Sequence, residues 1–167
     1  MLVVVAGIAV LSCADRAQAQ EEIGISRGST PDPVALENLD GETVDLADYF
    51  GKRPVLLEFW ATWCENCEAL QPQMDAAYEQ FGDRMDFFAV AVGVGQSPRT
   101  IRRHLRRHPV PYPLLFDKSG AAVRAFMTPA TSYVVILDAD GKVAYTGIGA
   151  QQDVGVAIER VLEMAGQ

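Results

Sequence analysis

Apolar positions along the chain come in short continuous runs and in helical stripes, and the two alternate. Val55-Leu56-Leu57-Glu58-Phe59-Trp60 and Asp86-Phe87-Phe88-Ala89-Val90-Ala91-Val92 are runs without a polar face, as expected of central strands covered on both sides. Between them Leu70, Met74, Ala77, Tyr78 and Phe81 recur at helical spacing, which predicts an amphipathic helix from Cys64 to Phe81 with Gly82 as its stop. Pro72 falls inside that helix, deletes one backbone hydrogen bond and predicts a kink. Ser97-Pro98 is a helix cap followed by proline at the first helical position, and this helix should run to His108, before Pro109. Pro113 to Phe116 then reads as a strand, and a short helix follows through Phe126. Ser132 to Leu137 and Lys142 to Gly147 pair around the turn Asp138-Ala139-Asp140-Gly141, and Gln151 to Met164 make a last amphipathic helix. Ahead of these elements, Val34-Ala35-Leu36 and Thr43-Val44-Asp45 flank Asn38-Leu39-Asp40-Gly41 as an added N-terminal β-hairpin, and Leu46 to Phe50 make a brief helical turn. The order predicts an α/β fold with a mixed central sheet flanked by helices.

The first 31 residues stand outside that alternation. Leu2 to Leu11 form an apolar run too short to span a bilayer but suited to a secretory leader, with Ala17-Gln18-Ala19 as its cleavage site. Residues 1–19 are therefore read as a signal peptide and 20–31, a mixture of Gly, Ser, Thr and charge, as a linker. Val10-Leu11-Ser12-Cys13 offers a competing lipoprotein box, in which Cys13 would carry a membrane tether. Both readings export the protein, to a bacterial periplasm or cell envelope, and leave residues 32–167 as one domain. A chain of 167 residues with 49% hydrophobic content needs no second core, and a formal charge of −8 argues against nucleic acid as a partner.

Removing Cys13 with the leader leaves Cys64 and Cys67 of the three cysteines. Spaced as C-x-x-C at a helix start, they lie on one face of its first turn and can close a disulfide. The unpaired N–H groups and positive dipole end of that helix favour thiolate at Cys64. A bridge across so small a loop restrains only roughly 2 to 3 kcal/mol of chain entropy, so chemical use outweighs stapling. Glu58 interrupts an otherwise apolar strand six positions before Cys64; burial should raise its pKa toward the range where a carboxyl exchanges protons with a thiol. It is read as the relay acid for Cys67, against a plainer reading as a partner of Lys52 or Arg53. His104 and His108 stand four apart in a helix that also carries Arg99, Arg102, Arg103, Arg106 and Arg107. Two imidazoles without a third ligand predict no metal site. The arginines read first as a solvated face and second as a docking site for an acidic partner or an anionic headgroup surface.

The stretch Phe59-Trp60-Ala61-Thr62-Trp63-Cys64-x-x-Cys67, with Glu58, Pro72 and Thr128-Pro129, resembles the thioredoxin fold. The Leu39-Asp40-Gly41-Glu42 hairpin, Leu46 and the Leu137-Asp138-x-Asp140-Gly141-Lys142 turn narrow the resemblance to the exported TlpA/ResA/CcmG type of thiol-disulfide reductase. It covers nearly everything after Asp32. The resemblance implies a thioredoxin-like sheet, a redox-active Cys64/Cys67 disulfide with Glu58 as a third catalytic residue, and a substrate surface at Trp63, Thr128 and Pro129. A cis bond before Pro129 would lie against the dithiol. Protein disulfides or dithiols are the implied partners, with an upstream membrane thiol-disulfide electron donor; cytochrome c maturation is one implied setting, and no cofactor or metal is called for. Glu65-Asn66 between the cysteines lacks the proline of many relatives, and the Glu65 charge opposes thiolate formation, which favours a reducing centre. A copper-binding chaperone on the same fold is the alternative from another class. A peroxidase of the peroxiredoxin kind would want Thr where Ala61 stands.

Overall fold

In a computed structural model the described residues are 23–165. The leader, its cleavage site and the Cys13 box lie outside them. Seven strands form one mixed sheet in the order β2-β1-β5-β4-β3-β6-β7, with β1 at Ala35–Asn38, β2 at Thr43–Asp45, β3 at Val55–Trp60, β4 at Asp86–Val92, β5 at Leu114–Asp117, β6 at Tyr133–Leu137 and β7 at Val143–Ile148. Helices α1 (Glu65–Phe81), α2 (Pro98–Leu105), α3 (Ala121–Ala125) and α4 (Val154–Ala165) complete the described elements, with a 3-10 turn at Leu46–Asp48. β3 runs parallel to β4 and antiparallel to β6, and all six of its residues are buried, as its apolar run requires.

Alternation along β3 divides the core into two faces. Leu57 and Phe59 point to one; Phe59 there meets Phe126 and Tyr133, with ring centroids 5.5 and 5.9 Å away. Glu58 and Trp60 point to the other, toward Tyr112 and His104. That second face also carries a ring cluster of Tyr78 from α1, Phe87 from β4 and Tyr112. α1 seats Leu70, Met74, Ala77 and Phe81 in the core, each contributing roughly 1.5 to 3 kcal/mol for its larger side chains. The helix is continuous through Pro72, whose missing N–H leaves the Glu68 carbonyl without its helical donor.

The N-terminal hairpin does more than precede the sheet: β1 pairs antiparallel with β5, Glu37 opposite Phe116, and so extends it. α2 stops at Leu105, short of His108, and the N–H groups of Arg107 and His108 both close onto the His104 carbonyl, because the residue before Pro109 is disfavoured in helical conformation. The described part of the expected linker packs on the domain. Ile25 is buried and donates its N–H to the Phe126 carbonyl, while Gly28 donates to the Val143 carbonyl and Val143 donates back to the Ser29 carbonyl. Gly24 has φ +78°, and a Cβ there would overlap the Tyr133 hydroxyl, which itself donates to the Ile23 carbonyl.

Candidate active site

The interior strands β3 and β4 run parallel and finish at the same end of the sheet, and the space beyond their carboxyl ends is where α/β folds form their clefts. β3 ends at Trp60, and Cys64 follows as the N-cap of α1 in extended conformation, φ −92° and ψ 99°. Its Sγ accepts the Cys67 N–H at 3.1 Å, and its carbonyl accepts the N–H groups of Cys67 and Glu68. The cysteines form a disulfide across a Cα separation of 5.3 Å. On reduction, the N–H already aimed at the Cys64 sulfur and the helix dipole behind it favour the thiolate there. Cys64 is 9% exposed and Cys67 4%, so Cys64 is the sulfur an incoming group reaches first.

The loop between β3 and α1 is fixed from the end of β4. Gln96 accepts the Thr62 N–H at 3.0 Å and donates to the Val92 carbonyl. Trp63 is half exposed, with its indole N–H on the Val94 carbonyl at 2.9 Å. Gly95, at φ +68°, lies under that ring, where a Cβ would come within 3.3 Å of Nε1. Trp63 and the exposed Val94 together give the rim beside Cys64 an apolar lip. Gln96 gave no signal in the sequence beyond its place in a loop.

Glu58 is buried and accepts a hydrogen bond from the Tyr112 hydroxyl at 3.1 Å, while its Oε1 has no protein partner. Burial raises its pKa to about 7, against the lowering effect of the Tyr112 bond and with a further push from the Asp75 charge. Tyr112 is itself pushed far up by burial, then by Glu58, so it acts as a neutral donor. Among the described residues neither Lys52 nor Arg53 forms an ion pair with Glu58; Arg53 pairs with Asp86 at 2.6 Å.

A cavity of about 510 Å³ receives Trp60, Trp63, Cys64, Cys67 and Pro72, and also His104 and His108. The sequence had set those histidines apart from the cysteines; the fold brings them to one wall. Their rings stack at 4.5 Å, and His104 lies 5.7 Å from Trp60. Glu58 does not line this cavity but sits one pleat deeper along β3 than Trp60, which does; Gln71 and Asp75 of α1, which perturb Tyr112 and Glu58, also line it. Thr128 and Pro129 are absent from its lining. Every peptide bond among the described residues is trans, so the expected cis bond before Pro129 is not formed. The chain reverses through Met127 and Ser132, at φ +48° and +60°, and the bond before Pro129 follows the ordinary trans preference of about 0.5 to 1 kcal/mol. Thr128 donates its N–H to the Val123 carbonyl, and Pro129 is exposed. Among the described residues no group of three His, Cys, Asp or Glu side chains is arranged to hold a metal ion.

A seven-stranded mixed sheet carrying a C-x-x-C disulfide at the start of its first long helix defines a thioredoxin-fold thiol-disulfide oxidoreductase. Within that class the chain belongs to the AhpC/TSA family, whose model matches residues 28–146. It is 33% identical over 132 residues to the thioredoxin-like protein YneN of Bacillus subtilis, spanning 78% of this chain and 76% of that one. It is 30% identical over 129 residues to the thiol-disulfide oxidoreductase ResA of Bacillus subtilis, spanning 77% of this chain and 71% of ResA. The thioredoxin domain of a thiol-disulfide oxidoreductase from Bacteroides vulgatus shares the fold, with a TM-score of 0.71 at 18% identity over 81% of this chain and 97% of that domain.

Proposed function

We propose that the protein is an exported disulfide reductase for protein partners, with Cys64 as nucleophile, Cys67 as resolving thiol and Glu58 as proton acceptor. The single observation that carries the reading is Cys64 at the α1 N-cap with the Cys67 N–H on its sulfur; the buried Glu58 carboxyl, with its pKa raised to about 7, supports the acceptor role. The Cys64 thiolate attacks one sulfur of the partner disulfide; the partner S–S bond breaks as the Cys64–partner bond forms, and one partner thiolate leaves. Cys67 passes its proton to Glu58 and attacks Cys64 Sγ, which re-forms the Cys64–Cys67 bond and releases the second partner thiolate. Two electrons thus move to the partner, and an upstream membrane thiol-disulfide donor restores the dithiol. Trp63 and Val94 support an apolar segment of the partner. Thr128 and the exposed Pro129, which do not line the dithiol cavity, are read with Trp63 as part of the surface that takes the partner. Export rests on the apolar Leu2 to Leu11 run and the Ala17-Gln18-Ala19 site, with Cys13 as the tether if the lipoprotein box is used.

Cys64→Ser is expected to abolish reduction of a protein disulfide. Cys67→Ser should attack but not resolve, accumulating mixed disulfides visible as non-reducing gel adducts that dithiothreitol removes. Full turnover by Cys64→Ser contradicts the assignment.

A further inference from the structure

α2 and the turn that closes it set Arg103, His104, Arg107 and His108 along a groove of about 300 Å³, completed by Thr62, Thr100 and Glu68. The groove shares Thr62, Glu68, His104 and His108 with the cavity that holds the two sulfurs, so the two are continuous. Two arginines of this segment are occupied: Arg102 donates to Asp40 and to the Leu39 carbonyl, and Arg106 to the Arg102 carbonyl; Arg99 lies outside the groove. Arg103 and Arg107 are exposed and have no ion pair or side-chain hydrogen bond among the described residues. His104 is half-buried, and burial, then the neighbouring His108, hold its pKa below the usual imidazole range, so the fixed positive charge comes from the guanidiniums. Glu68, 3.9 Å from His108, is the carboxylate facing them in the groove. Two guanidiniums against one carboxylate leave a locally positive channel in a chain whose formal charge is −8. The helix dipole accounts for cations at this end of α2. It does not account for an unpaired pair opening onto the reaction centre.

We propose that this groove docks an acidic segment of the partner protein: carboxylates beside the partner's disulfide pair with Arg103 and Arg107 while the disulfide itself enters the cavity against Cys64. The inference rests on the reductase reading above. A membrane surface laid on α2 would cover the dithiol, whereas a protein segment uses the continuity of groove and cavity. Guanidiniums suit bidentate pairing with carboxylates, and an exposed cationic groove acts chiefly on encounter rate and register.

Three peptides of one sequence, each closed by an internal disulfide and flanked by Glu, Gln or Lys, test the proposal with the reduced protein. At low salt the Glu peptide should be reduced with a kcat/KM about tenfold above the Gln peptide, the Lys peptide falling below both, and the ratio should shrink toward unity at high salt. Arg103→Gln with Arg107→Gln should bring the Glu-to-Gln ratio to about one, while Arg103→Lys with Arg107→Lys should keep most of it. Equal rates for the Glu and Gln peptides in the unaltered protein overturn the proposal, as does a preference that survives the double Gln variant. Binding to phosphatidylglycerol vesicles that is lost in that variant, without any peptide preference, overturns it in favour of a membrane surface. Failure to reduce even uncharged 2,2′-dithiodipyridine contradicts the reductase reading itself, and the docking inference with it.

Discussion

Glu58 is the residue whose chemistry is most exposed to test. Its carboxyl is buried with one oxygen held by Tyr112 and the other unpartnered, an arrangement that suits the neutral acid better than the anion. With a folded pKa of about 7 against an unfolded value near the ordinary carboxyl range, the folded chain keeps a proton that the unfolded chain has lost across that interval. Stability therefore falls as pH rises between the two values and is level on either side, by on the order of 3 kcal/mol in all for a shift of this size. Urea midpoints of the oxidised protein should decline from pH 5 to pH 8, and Glu58→Gln should remove that slope; a flat profile in the unaltered protein contradicts the buried-acid assignment. Resolution of the mixed disulfide should lose its inflection near pH 7 in the same variant. The acid was legible because a charge in an apolar strand stands out, whereas Tyr112, 54 residues away, could be found only once the fold had placed it.

Elements were legible where a pattern is imposed by burial on both faces. β3 and β4 carry no polar face, and their limits follow the apolar runs residue for residue. α2 overran in the sequence reading because capping at Ser97 is a local signal, while its end depends on Pro109 and on a turn that periodicity does not mark. Pairing of β1 with β5 was invisible, since register across a sheet edge is a long-range property. So was the capping of α3. Buried Asp117, at the end of β5, accepts the N–H groups of Ala121 and Val123 at 2.7 and 2.9 Å, at the start of a five-residue helix that could not form alone. Asp117→Ala leaves both donors unpaired and should cost about 2 kcal/mol, read as a lower urea midpoint with the disulfide chemistry retained; an unchanged midpoint contradicts the role of this cap.

At the scale of the molecule, the dithiol, its buried acid and the cationic groove come from segments that the sequence keeps far apart. His104 and His108 looked remote from Cys64 because spacing along the chain says nothing of which wall a crossover helix supplies. The trans bond before Pro129 is the opposite case, where a resemblance in residue type did not carry the backbone geometry with it. The proposed reductase reading ties the parts together through the direction of electron flow: on that reading the exposed Glu65 charge beside Cys64 opposes the thiolate that the helix terminus favours and disfavours strongly oxidising behaviour. Equilibration of the Cys64–Cys67 pair with a glutathione redox buffer measures this directly. The account predicts a reduction potential on the order of −270 mV, in the reductant range, and a value near about −120 mV, where strong disulfide donors lie, would contradict it.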